Sequence, residues 1–298
     1  MPRKLFVLLS SAFFIGAAVL LAMKWRLYHQ APKNYEWNAV DAYLKREAGY
    51  DDLLLFEPSW LAGYAQDFGR LRPYSAVTRG EIFKNTYPPS SALWLVSMFK
   101  SSPLASRLKK SGFEEEVLQA MDPVFLTRYR IPSRNVLYDF SAHLSEAEVF
   151  VDHGDGDVRR AERQNGAWVF AGNPEDWNQV SVGTQPFRNQ VRRCIWLHPV
   201  EDGVKTIRFA PVLIGKQIEY FAGIVDSGMS TPPGSPVYLS VELDGKPAGN
   251  FQFQDTDTDF YRVLDTASSS GAERIVTFQV QTANQARRHF CFSAWAVS

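Results

Sequence analysis

The densest concentration of chemistry-bearing side chains is Asp152-His153-Gly154-Asp155-Gly156-Asp157, with three carboxylates and one imidazole within six residues. Such groups transfer protons or hold a cation when they converge. The same run follows the apolar stretch AEVFV and mixes glycine with aspartate as hairpin turns do, so an exposed turn is the plainer expectation. The catalytic alternative is an envelope hydrolase or transferase that uses Asp152 and Asp155 in a cleft between two domains.

Asp255, Asp257 and Asp259 form a second acidic series with the opening spacing of a calcium loop. An EF-hand needs glycine at the sixth position and glutamate at the twelfth, where this chain has Phe260 and Thr266. A charged strand edge that deters pairing fits the series better. Ser59 follows Phe56-Glu57-Pro58 but lacks the glycines of a nucleophile elbow, so it reads as a helix cap. His198 and His289 lie among aromatic residues, as core or turn histidines commonly do. Neither G-x-G-x-x-G nor a phosphate loop occurs, and no metal or cofactor is implied.

The remaining candidates are aromatic. A sugar ring offers an apolar face for stacking and a polar rim for hydrogen bonds. Trp177 in NPEDWNQV, and Tyr220 with the nearby Asp226, are the residues expected to bind a ligand in this way. Trp168, Trp196 and Trp295 fit strand interiors. Cys194 and Cys291, the two cysteines of the chain, sit in apolar strand-like runs and either pair as a disulfide or remain buried thiols. Neither has a CxxC partner, which argues against zinc.

The elements that must position these residues fall into three parts. Leu5 to Met23 is an uncharged run flanked by Arg3, Lys4, Lys24 and Arg26. As a helix it would span roughly 28 Å, so residues 1–30 are expected to be a single membrane anchor. A cleaved signal is the alternative, disfavoured by the length of the run and by Ala22-Met23-Lys24 where a small-x-small pair would stand. Removing those four basic residues from 32 leaves 28 Lys and Arg against 32 Asp and Glu, a body of charge near −4. Without a basic stripe, nucleic-acid binding is excluded.

Residues 36–133 alternate helical and strand patterns. Val40, Tyr43 and Leu44 share a helix face, Leu53 to Phe56 and Leu93 to Phe99 read as buried parallel strands, and Leu104 to Lys110 reads as a helix. This predicts a small Rossmann-like α/β domain. Residues 136–298 show about eleven short alternating strands without helices, which predicts a jelly-roll β-sandwich. Leu243-Asp244-Gly245-Lys246 is the strongest hairpin signal. SGMSTPPGSP, residues 227–236, reads as a mobile loop.

Two stretches resemble known families. YLKREAGYDDLLLFEPSWLAGYAQDFG, residues 43–69, resembles the extracytoplasmic segment of bacterial mannosyltransferase-like, lipid-linked-sugar glycosyltransferases. CIWLHPVEDGVKTIRFAPVLIGKQIEYFAGIVDSG, with VYLSVELDGKPAG and HFCFSAWAV, is similar to galactose-binding-like jelly rolls of exported carbohydrate-active proteins. Those transferases carry many membrane spans and a catalytic loop that this chain lacks, so the resemblance implies an accessory or sensing role and transfers no catalytic residue. The expectation is a membrane-anchored, extracytoplasmic, non-enzymatic module that binds a glycan or a membrane-protein partner. An assembly factor for a membrane complex is the alternative.

Overall fold

The computed structural model describes residues 13–22, 32–49, 52–63, 75–90, 92–154, 156–171, 178–187, 190–230, 232–257 and 260–298. Residues 13–22 form a helix, while the rest of the expected span from Leu5 to Met23 lies outside the described residues. Among the described residues no helix is long and apolar enough to cross a membrane, so the expected transmembrane helix is not found among them.

Strands dominate the molecule. The first unit is a five-stranded sheet in the order β2-β1-β3-β5-β4. Its strands are β1 (Leu53–Glu57), β2 (Ser75–Val77), β3 (Ala92–Ser97), β4 (Glu114–Met121) and β5 (Val124–Arg130). Helix α1 (Asn34–Glu47) lays Trp37, Val40 and Leu44 against Leu54, Phe56 and Trp94 on one face. Helix α2 (Arg79–Lys84) starts at a capping box between Thr78 and Glu81, and α3 (Pro103–Lys110) starts at Ser102 with proline in its first turn. Both helices pack on the opposite face, where Ile82, Leu104 and Leu108 meet Leu53, Leu55 and Leu93.

The expected Rossmann-like domain is corrected here. Parallel pairing stops at three strands, because β4 and β5 form an antiparallel hairpin that adds to β3. The edge strand β4 escapes a hydrophobicity reading because almost all of it faces solvent.

The second unit is one antiparallel, 13-stranded hydrogen-bonded sheet that folds back on itself into two packed layers. The front layer runs β15 (Lys246–Phe253), β14 (Val237–Leu243), β17 (Glu273–Thr282), β12 (Val204–Leu213) and β7 (Glu148–Asp152). The back layer runs β9 (Ala167–Phe170), β10 (Gln179–Phe187), β11 (Gln190–Leu197), β18 (Phe290–Val297), β13 (Gln217–Ile224) and β16 (Tyr261–Asp265). Strand β8 (Val158–Gln164) passes from one layer to the other, and β6 (Val136–Asp139) pairs with the end of β18. The core between the layers includes Leu239, Phe209 and Phe278 from the front and Ile218, Phe290 and Phe292 from the back. The hairpin between β14 and β15 turns at Asp244 and Gly245, with φ of 52° and 73°, as a two-residue type I′ turn requires.

Candidate functional site

The two outer surfaces of this sandwich differ in chemistry. The back layer turns Phe187, Phe221, Phe260, Cys194, Cys291 and Trp295 outward into an apolar cluster beside the five-stranded unit. There the fully buried Arg192 donates to the Ala76 carbonyl and pairs with Glu81 of α2, while its guanidinium lies 5.0 Å from the Phe221 ring. Arg134, in the connection between units, pairs with Glu219 of β13 and donates to the Tyr87 carbonyl at 2.7 Å.

The front layer is amphipathic in the opposite sense. Its inward residues on β14, β17 and β7 are Val237, Leu239, Val241, Val276, Phe278, Val280, Val149 and Val151, all in the core. The pleat therefore turns their neighbours outward. Strand register sets them in two rows across the layer. One row runs Gln252, Tyr238, Gln281, Val204 and Asp152. The next runs Asn250, Ser240, Gln279, Thr206 and Phe150. Amides and hydroxyls thus alternate with two half-buried aromatic rings. Among the described residues, the side-chain amides of Asn250, Gln252, Gln279 and Gln281 make no hydrogen bond within the chain.

A cleft of about 470 Å³ lies over the first row. Its floor holds Tyr238, Gln281, Val204 and Asp152, and its walls are the turns at His153-Gly154, Glu201 to Gly203 and Thr282-Ala283. The walls are held in place. His153 Nδ1 is 3.0 Å from the Asp202 carbonyl, Asp152 accepts from the Gly154 N–H at 2.8 Å, and Thr282 Oγ1 donates to the Pro236 carbonyl at 2.9 Å. Gly203 fits because a Cβ there would stand 2.8 Å from the Asp152 carbonyl. Such a floor can stack an apolar ring face and hydrogen-bond hydroxyls, in a volume suited to a small ligand.

The residues singled out from the sequence are distributed differently. Trp177 and Asp155 lie outside the described residues. Tyr220 is fully buried between the layers, its ring 4.9 Å from Phe251, and burial pushes its hydroxyl well above the usual range. That side chain is a core residue and not a surface platform. Asp226 opens a short 3-10 turn, Asp226–Gly228, after β13, and the structure does not bring it to the cleft.

Cys194 and Cys291 are joined as a disulfide between β11 and β18, with Cα atoms 5.8 Å apart. His198 and His289 pack edge to face at 5.2 Å, and burial lowers the pKa of His198 to about 4. Asp152 and His153 do line the cleft, yet no group of three or more His, Cys, Asp or Glu residues able to hold a metal occurs among the described residues. Described residues of the expected mobile loop over 227–236 are hydrogen-bonded to a buried ion pair. Arg288 donates to Asp255 at 2.7 Å and to the Gly228 carbonyl at 2.8 Å, while Gly234 N–H donates to Asp255 at 2.8 Å.

No protein-family model matches the chain, and no curated protein matches it. Several solved structures do. The CBM51-2 and INT domains of Clostridium perfringens ZmpB align with 13% identity over 39% of this chain and 26% of that one, at a TM-score of 0.30. The xylan-binding module CBM15 aligns with 8% identity over 50% of this chain and 90% of that one, at 0.25. A Family 16 Carbohydrate Binding Module-2 aligns with 17% identity over 42% of this chain and 87% of that one, at 0.22. The chain thus spans about a quarter of the first of these structures. The resemblance of residues 43–69 to a mannosyltransferase-like segment gains no support from these matches, whereas the structures just named are carbohydrate-binding modules.

Proposed function

We propose that this chain is a non-enzymatic glycan-recognition module that binds saccharide on the outward face of the front layer, in the cleft floored by Tyr238 and Gln281. The carrying observation is the set of amides Asn250, Gln252, Gln279 and Gln281, which among the described residues make no hydrogen bond within the chain, set in two rows with Tyr238 and Phe150. Solvent-facing strand positions in ordinary sandwiches serve solubility and carry mixed charges. Beside charged positions such as Glu148, Arg208 and Glu242, this face has the donors and acceptors that a hydroxyl-rich ligand needs, with ring platforms for its apolar side. The Cys194–Cys291 disulfide supports an oxidising, extracytoplasmic location.

Calorimetric titration of the full chain with soluble cell-envelope polysaccharides tests the reading. Saturable binding is expected. Tyr238→Ala and Gln281→Ala should each weaken it about 10-fold, or about 1.4 kcal/mol, without changing the thermal midpoint, since both side chains lie outside the core. Flat titrations across the panel, or unaltered affinity in both variants, would sink the proposal.

A further inference from the structure

We infer that the cleft, on the glycan reading above, takes an internal stretch of an extended, uncharged or amine-bearing glycan chain laid across the strands, and rejects uronate chains. Direction comes from the register. The floor residues of the cleft, Tyr238, Gln281, Val204 and Asp152, belong to four adjacent strands, so the long axis of the site crosses β14, β17, β12 and β7. Adjacent strands stand about 4.8 Å apart, which is close to one sugar repeat of an extended chain, so each strand offers side chains to about one sugar unit.

The track continues beyond the cleft at both ends, to Gln252 on β15 and Val158 on β8. A ligand end is therefore not required to fit. The second row, from Asn250 to Phe150, lies about 7 Å along the strands from the first, so hydroxyls on the two rims of one chain meet different rows. Tyr238 in the first row offers a stacking surface toward one end of the track, while Phe150 in the second stands with the Arg208 guanidinium 5.9 Å from its ring.

Charge fixes the ligand class. Asp152, Glu201 and Asp202 stand around the cleft. Among the described residues, those lining the cleft include no lysine or arginine. Arg208 pairs with Glu148 two rows from the floor and Arg160 lies 3.8 Å from the same carboxylate, while His153 faces Asp202. Among the described residues no guanidinium lines the cleft, and a ligand carboxylate there would meet like charge. An ammonium or a neutral hydroxyl meets no such penalty.

The experiment is calorimetry on the full chain with neutral gluco-, xylo-, manno- and chito-oligosaccharides of one to six units, partly deacetylated chito-oligomers, oligogalacturonates, and oligomers modified at both ends. At least one neutral or amine-bearing series should gain affinity several-fold per added unit up to about four units and then level off, matching the strand count of the floor. End-modified oligomers should bind equally well, and oligogalacturonate should not bind. Full affinity for a monosaccharide, or loss of binding on end modification, overturns the chain reading while leaving glycan recognition intact. Preferred binding of oligogalacturonate overturns the charge argument, and silence of every sugar overturns the glycan reading itself.

Discussion

Lys205 is the residue whose position most contradicts its chemistry. Register sets it opposite Val280 and Val151, which both point into the sandwich core, so the pleat carries the lysine inward with them. Its ammonium lies 5.1 Å from the Phe170 ring and 3.4 Å from Asn178 Oδ1, and burial lowers its pKa to about 7. The unfolded chain keeps this proton up to about pH 10.4 and the folded chain releases it near 7, so between those values the unfolded state binds more protons and stability rises with pH. Urea unfolding should show the wild type gaining roughly 2 kcal/mol on Lys205→Met between pH 7 and pH 9. A pH-independent difference between the two proteins would exclude an inward ammonium. At the residue scale, side-chain direction depends on strand register, which local sequence does not show. Register places Tyr220 in the core and Tyr238 on the outward face. VYLSVEL and RIVTFQVQT alternate, and their outward positions include Tyr238, Ser240, Thr277, Gln279 and Gln281 beside the acidic Glu242.

At the scale of elements, legibility followed burial. Strands with several inward apolar residues, such as Val237–Leu243 and Phe290–Val297, are evident as runs in the sequence. Strand β8 buries only Ala161, and β10 reads QVSVGTQPF with glycine and proline inside it, so neither announces itself. Loop composition misled in the other direction. Ser227 to Pro236 has the composition of a mobile segment, but buried Arg288 and Asp255 tie it down from a distance of sequence that no local reading spans. Burial alone would raise the Asp255 carboxyl, and the bonds from Gly234 and Arg288 hold it below the usual carboxylate range. Gly234 is required by close approach, since a Cβ there would stand 2.6 Å from Arg288 Nη2. Gly234→Ala should therefore cost about 1–3 kcal/mol, the usual penalty for overpacking, and render residues 227–236 sensitive to protease. Because Thr282 at the cleft wall donates to Pro236, the same variant should also weaken ligand binding, with Ser235→Ala as the control that leaves both intact.

For the whole molecule, the decisive asymmetry is that one outer face of the sandwich is apolar and packed beside the α/β unit while the other carries the amide rows and the cleft. That arrangement makes the five-stranded unit a structural backing for the back layer and leaves the front layer free for recognition. Two arginines tie the units together, Arg192 to Glu81 and Arg134 to Glu219, and both pairs are largely removed from solvent. Buried ion pairs contribute little relative to apolar replacements, but removing one partner strands the other charge at a cost of about 3–5 kcal/mol. Arg192→Met should accordingly destabilise the chain by about 3 kcal/mol, while adding Glu81→Met should restore much of that loss. The test also reports on cooperativity. If the buried pair couples the units, the wild type unfolds in urea in one transition and Arg192→Met separates it into two, with the Trp94 environment in the α/β unit changing first. The sugar-binding face lies on the opposite layer, so ligand should stabilise the second transition of the variant and leave the first unmoved. Equal shifts of both transitions would mean that the ligand contacts the α/β unit too, and that the site extends beyond the front layer.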